Sequence, residues 1–82
     1  MPAPITLYGK PGCGPCDQAK ALLFELAAEL GLSVQVIDIT AEAAAWQRFH
    51  ALIPAAEIAG GPTLVWPFDA SDLLHALAEA GP

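Results

Sequence analysis

The sequence predicts one α/β domain of order βαβαββα, a single layer of sheet covered by helices. Three observations carry that prediction. The 82 residues leave room for one domain over 1–82 and no more. Hydrophobic residues make up 55% of the chain, mostly Ala, Leu, Ile and Val, and a core of that kind suits helices packed on a sheet. The apolar pattern also alternates between short β-prone runs and longer stretches with helical spacing. An apolar content this high excludes disorder. It also offsets small size, because a chain this short buries only about 60% of the surface its unfolded form exposes.

The elements follow in order. Ile5-Thr6-Leu7-Tyr8 is β-prone and stopped by Gly9, which makes it the first strand. Lys10 to Gly14 is a loop punctuated by Pro11, Gly12 and Gly14. From about Pro15 the period changes: Ala19, Leu22, Leu23, Leu26, Ala27 and Leu30 share a helical face, with Lys20, Glu25 and Glu29 opposite. Gly31 sits where a C-cap glycine ends that helix. Val34 to Ile39 is the second strand, with β-branched side chains at Val34, Val36 and Ile37. Thr40 is the expected N-cap of a second helix, with Glu42 in its first turn and an end near Leu52.

From Ile53 to Pro67 two patterns compete. Ala55–Ile58 and Thr63–Trp66 can form a hairpin around Gly60-Gly61. Alternatively a helix restarts at Pro54 and ends at Gly60, leaving Thr63–Trp66 as the only strand; Ala-Ala-Glu-Ile-Ala prefers this locally. A sheet without the extra strand is a poor platform, so the hairpin is adopted. The last helix opens on a capping-box spacing at Asp69 and Asp72, carries Leu73, Leu74 and Leu77 on one stripe, and stops at Gly81.

Charge and composition remove several classes of function. Nine acids face only Lys10, Lys20 and Arg48, for a net charge of −6. Three isolated bases cannot follow a phosphate backbone, so neither nucleic acid nor an anionic membrane surface is an expected partner. No stretch approaches the roughly 20 apolar residues of a membrane span. Met1-Pro2-Ala3-Pro4 has no basic n-region and no apolar run behind it, so no secretory signal is expected and the cytoplasm is the expected compartment.

In that compartment a Cys-x-x-Cys pair is redox-active or metal-binding more often than a structural staple. Bridging Cys13 and Cys16 closes almost no loop and would add little by chain entropy. Cys13 stands between a strand and a helix, with Gly14 and Pro15 as the loop between the cysteines. Pro15 falls in the first turn, where its missing N–H costs nothing. Free N–H groups and the positive end of the helix dipole then face the Cys13 sulfur and favour its thiolate. Cys16 lies one turn on along the same face, with Cα atoms expected roughly 5 Å apart, within disulfide range. Cys13 is thus the expected attacking thiol and Cys16 the resolving one. Inert buried cysteines, a zinc site with His50 and His75, and a cluster shared between subunits are the competing readings. The two histidines sit in different predicted helices, unlike the closely paired ligands of zinc fingers, and no metal is expected.

With these residues assembled, the chain resembles the thioredoxin superfamily over nearly its whole length. Leu7-Tyr8-Gly9-Lys10-Pro11-Gly12-Cys13-Gly14-Pro15-Cys16 looks like a glutaredoxin active-site region, with a lysine three residues before the first cysteine. The likeness is closest to the short bacterial glutaredoxin-like family (glutaredoxin 2-like, DUF836 type). Its marks here are Leu7-Tyr8, Cys16-Asp17, Ile37-Asp38-Ile39 and Trp66-Pro67-Phe68-Asp69-Ala70. The resemblance implies a thioredoxin/glutaredoxin fold with a four-stranded mixed sheet flanked by three helices. It implies a monomeric thiol–disulfide oxidoreductase acting on protein or low-molecular-weight disulfides. No cofactor would be bound; glutathione or a thioredoxin reductase system would supply electrons. It further implies a cis-proline facing the disulfide. Ile53-Pro54 matches the family's hydrophobic-Pro step and Gly61-Pro62-Thr63 looks like the thioredoxin one; Pro54 is preferred. Ile53 would then offer backbone groups to an extended substrate, and Lys10 either contacts a glutathione carboxylate or stands as a solvated surface lysine.

Some residues depart from the pattern. Gly14-Pro15 is the thioredoxin spacer and not the glutaredoxin Pro-Tyr. Gly12 stands where thioredoxin has tryptophan, and the first strand carries no acid. Trp66-Pro67-Phe68-Asp69 replaces the Gly-Gly-x-Asp that holds glutathione in glutaredoxins. A binding module that has lost turnover and an iron–sulfur or zinc carrier are the rival functions. Elsewhere, Trp46 and Phe49 are expected in the core, and Trp66 and Phe68 as anchors of the last helix. His50 and His75 are expected at the surface, and Tyr8 either near the redox loop or as a structural tyrosine.

Overall fold

The computed structural model describes residues 4–81. Met1-Pro2-Ala3, on which the expectation about a secretory signal falls, lies outside them. The chain runs β1 (Ile5–Gly9), α1 (Gly14–Leu30), β2 (Val34–Asp38), α2 (Ala43–Phe49), β3 (Ala55–Ile58), β4 (Thr63–Val65) and α3 (Ala70–Ala80), the expected βαβαββα order. The sheet order is β2-β1-β3-β4. β1 pairs parallel with β2, antiparallel with β3, and β3 antiparallel with β4, so the sheet is mixed.

Strand alternation sorts the core into two layers. On one face Ile5, Leu7, Ala56 and Ile58 pack against Ala19, Leu23 and Leu26 of α1 and Leu73 and Ala76 of α3. On the other, Tyr8 and Ala55 pack with Ile39 against Ala45 and Phe49 of α2. Ala55 and Ala56 are fully buried. Their small side chains let helices approach both faces of β3, so tertiary packing overrides the local helical preference of Ala-Ala-Glu-Ile-Ala. The hairpin is closed by Gly61 N–H donating to Ile58 O at 2.9 Å, with Gly60 at φ 75°.

The helix ends follow their caps. Gly31 takes the left-handed conformation after α1. Asp69 and Asp72 form the expected capping box: each carboxylate accepts the other's backbone N–H at 2.9 Å. α2 departs from expectation at both ends. Thr40 is not its N-cap, because its N–H and hydroxyl both donate to Asp38 Oδ1, at 2.8 and 2.6 Å. That acid, two residues before Thr40, captures it in a turn, and Glu42 takes the cap position with no side-chain bond. α2 also stops at Phe49 and not near Leu52, since the chain must leave the helical conformation before Pro54 to enter β3. Trp46 is a further correction. With only two turns, α2 buries Ala45 and Phe49, while Trp46 is 46% exposed and stacks on His50.

Two X-Pro bonds are cis. Ile53–Pro54 is one, as preferred over Pro62; Trp66–Pro67 is the other, which the sequence reading does not anticipate. Phe68 is buried beside Leu73, and Trp66 packs edge-on to it at 5.2 Å, so this pair anchors α3. Among the described residues, no helix is long and apolar enough to cross a membrane.

Candidate functional site

The site begins where β1 ends. Five extended residues deliver the chain to a loop at Lys10–Gly12, and Cys13 follows in extended conformation as the N-cap of α1. Gly14 and Pro15, both exposed, are the first two helical residues. Cys16 is the third, and its N–H donates to Cys13 Sγ at 3.2 Å. The cysteine thus caps the helix as a serine or aspartate side chain would. Cys13 and Cys16 are joined in a disulfide with Cα atoms 5.2 Å apart. Cys13 is half-buried and Cys16 is 6% exposed.

Gly9 makes room for the inner sulfur. It lies on the α1 side of β1, in register with Asp38 of β2. A Cβ placed there would stand 3.2 Å from both the Cβ and the Sγ of Cys16. No signal in the sequence separates this role from that of an ordinary strand-ending glycine.

Beside Cys16 an open cleft of about 210 Å³ runs between the start of α1 and the end of β2, with Lys10, Asp17, Lys20 and Asp38 around it. Lys10 therefore shares a cleft with Cys16. Ile53 and Pro54 do not line it: Pro54 is buried at the start of β3, and Ile53 is half-buried against the α2 cluster. The register Tyr8↔Ala55 nonetheless brings them to the same end of the sheet as the redox loop.

Tyr8 settles as a structural residue. Its hydroxyl donates to Glu57 Oε1 at 3.1 Å, and its ring stacks on Phe49 at 4.3 Å. Arg48 Nη2 donates to Glu57 Oε2 at 2.8 Å and its guanidinium lies 4.6 Å from the Phe49 ring centre. The network ties α2 to β1 and β3 behind the redox loop. Sequence reasoning misses it because it joins positions 9 and 49 apart in the chain; only the strand register places Glu57 beside Tyr8. The Arg48 hydrogen bond holds the Glu57 carboxyl below its ordinary 4.5. Burial, then the Glu57 charge, pushes the Tyr8 hydroxyl above 10.0.

A depressed carboxyl pKa adds stability above the unfolded value, and that contribution is lost as pH falls through the folded one. Glu57→Gln is therefore expected to melt lower than wild type at pH 7, with the gap closing once pH drops below about 4.5. Thermal unfolding across pH 3–7 checks this; a gap that stays constant with pH would assign the loss to packing alone.

Among the described residues no group of three or more His, Cys, Asp or Glu side chains is placed to hold a metal ion. His50 follows α2 with Nδ1 3.0 Å from Trp46 O, and His75 is on α3.

Comparison with known proteins agrees with this geometry. A family model described as a glutaredoxin-like domain (DUF836) matches residues 4–78. The chain is similar to the structural-genomics target protein XcR50 from X. campestris, with 32% identity over 95% of this chain and 99% of that one, at a TM-score of 0.73. Protein Ne2328 from Nitrosomonas europaea superposes at a TM-score of 0.70, with 23% identity over 93% of this chain and 91% of that one. A point mutant of the thioredoxin-like protein BC3987 does so at 0.62, with 24% identity over 89% of this chain and 97% of that one. Among curated proteins there is no match. The four-stranded mixed sheet with three helices is thus a thioredoxin-like fold.

Proposed function

The chain belongs to the glutaredoxin-like (DUF836) family, and from that premise we propose that it is a thiol–disulfide oxidoreductase reducing protein or low-molecular-weight disulfides. The observation that carries the proposal is the placement of the pair: Cys13 half-buried at the N-cap of α1, Cys16 buried behind it and donating its N–H to the Cys13 sulfur. That hydrogen bond and the helix N-terminus favour a thiolate at Cys13 in the reduced protein.

In the proposed cycle the Cys13 thiolate attacks one sulfur of the substrate disulfide and expels the other as a thiolate. The Cys16 thiolate then attacks the Cys13 sulfur, releasing the second substrate thiolate and closing the Cys13–Cys16 disulfide. Two electrons pass to the substrate. Glutathione, as two thiols, or a thioredoxin reductase system returns them; no bound cofactor takes part. Gly14 and Pro15 form the loop between the sulfurs, and the backbone of Ile53, beside the buried cis-Pro54, offers hydrogen-bonding groups to an extended substrate segment. The protein works as a monomer in the cytoplasm.

Cys16→Ser tests the order of attack. Mixed with a disulfide substrate, this variant should accumulate a stoichiometric adduct on Cys13, read by mass spectrometry of the intact protein and its peptides. An unmodified Cys13 at neutral pH would overturn the mechanism. The reduction potential assigns the donor: about −270 mV places the pair with thioredoxin, and about −200 to −230 mV with glutaredoxins.

A further inference from the structure

The loop between Phe49, the last residue of α2, and Ala55, the first of β3, carries Ile53. Its two ends are tied across its base. Arg48 Nη2 donates to Glu57 Oε2 at 2.8 Å, and Glu57 Oε1 accepts the Tyr8 hydroxyl at 3.1 Å. The same guanidinium lies 4.6 Å from the Phe49 ring centre and 5.9 Å from that of Tyr8, beside a ring pair stacked at 4.3 Å. Ile53 packs against the cluster to which both rings belong. Tyr8 also links that loop to the cysteines. Gly9, which backs Cys16, follows it in the chain, and Ala55, which follows Pro54, is its partner across the sheet.

The tie acts on position more than on stability. The Arg48 and Glu57 side chains keep 54% and 34% of their surface exposed, and an ion pair this wet stabilises a fold very little. Yet α2 has little else to fix it. It is two turns long, too short to be stable alone, has no side-chain bond at its N-cap, and buries only Ala45 and Phe49. Among the described residues the Arg48–Glu57 pair is the one salt bridge. A planar guanidinium can bond a carboxylate and lie against aromatic rings at once, a combination that the point charge of an ammonium does not reproduce.

We propose that Arg48 and Glu57 are positioning residues for polypeptide substrates. Through the Tyr8–Phe49 pair they hold Ile53 where its backbone meets an extended segment beside the redox loop. They therefore govern exchange with polypeptide disulfides. Small disulfides, which carry no backbone to pair with Ile53, exchange independently of them. This assignment rests on the oxidoreductase reading and makes the polypeptide the substrate class that the Ile53 surface selects.

The test is single-turnover oxidation of the full-length reduced protein by insulin, a polypeptide disulfide, or by bis(2-hydroxyethyl) disulfide, followed by mass spectrometry of acid-quenched samples. Arg48→Met keeps the length and apolar stem of the side chain and removes the guanidinium. Its rate constant with insulin should fall about five- to ten-fold, the scale of a lost charge-assisted bond, while the rate with the small disulfide stays at the wild-type value. Arg48 is exposed, so the variant is expected to stay folded. Arg48→Lys, which restores the charge without the planar face, should fall between Arg48→Met and wild type. Equal losses with both disulfides would make the pair mere packing and overturn the proposal. So would a wild-type rate with insulin in Arg48→Met, or a wild-type protein that exchanges with the small disulfide alone. A wild-type protein oxidised by neither disulfide would overturn the oxidoreductase reading itself, and the positioning role with it.

Discussion

Cys13→Ser is expected to lose disulfide turnover by about 10³-fold or more while the protein keeps, or slightly gains, the stability of the reduced wild type. The two halves of this prediction have one structural cause. Cys13 is at once the proposed nucleophile and the N-cap of α1, and its sulfur accepts the Cys16 N–H at 3.2 Å. A serine hydroxyl does not ionise at neutral pH and forms no stable bond to sulfur, so the first exchange step disappears. As an N-cap, however, serine is among the preferred residues, and its oxygen can accept the same N–H. Activity and stability therefore part company at one atom. Turnover with any reducing donor, set beside thermal unfolding of the reduced wild type and of the variant, checks both halves. Substantial turnover through Cys16 alone would reverse the order of attack. A large drop in stability would mean that Cys13 does not cap the helix.

The placement of Cys13 at a helix cap also explains why the cysteine pair is so legible in the sequence. Strand-ending Gly9, the loop glycines, Pro15 in the first turn and the helical stripe from Ala19 to Leu30 are all local signals. Each points to a cysteine at a strand–helix junction. The capping box at Asp69 and Asp72 is legible for the same reason: both partners lie within one turn. The hairpin is harder. Ala55 to Ala59 favours a helix by propensity, and only the need for a further strand, with Gly60-Gly61 as the turn, selects the sheet.

Misplaced features are those decided by competition or by distance. Thr40 has the composition of an N-cap, but Asp38 two residues earlier captures both of its donors. Trp46 has the spacing of a core residue relative to Phe49, but two turns of helix bury only the Ala45–Phe49 side. The Arg48–Glu57–Tyr8 network and the Lys10–Lys20 cleft join residues from three or more elements. No periodicity or motif encodes such meetings; the strand register creates them. In this fold the position of the two sulfurs is written locally, whereas the groups around them are assembled by topology.

Leu23→Ala is expected to destabilise the protein by about 3 kcal/mol, within the roughly 2–5 kcal/mol usual when a buried leucine is cut back to alanine. Leu23 has no exposed surface and lies in the main cluster with Ile5, Leu7, Ala56, Ile58 and Leu73. That cluster joins α1 to both the sheet and α3, so collapse around the missing methyl groups would require three elements to move together. A domain of this size is held by only about 4–12 kcal/mol, so the loss is a large share of the whole. The melting temperature should fall by roughly 12–24 °C, at about 4–8 °C per kcal/mol. Phe24 is the internal control. It is the next residue on the same helix, equally apolar, but 45% exposed, and Phe24→Ala should cost far less despite the larger side chain. Equal losses at the two positions would contradict the placement of the α1 face. The consequence for chemistry is specific as well: Leu23 lies about two turns beyond Cys16 on the face that seats α1 against β1. Loosening that seat frees the helix that carries both sulfurs from the strand whose Gly9 backs Cys16. At temperatures where Leu23→Ala is still folded, reduced Cys16 should therefore react faster with an external alkylating agent than in wild type. Phe24→Ala, which leaves the seat intact, should show the wild-type rate.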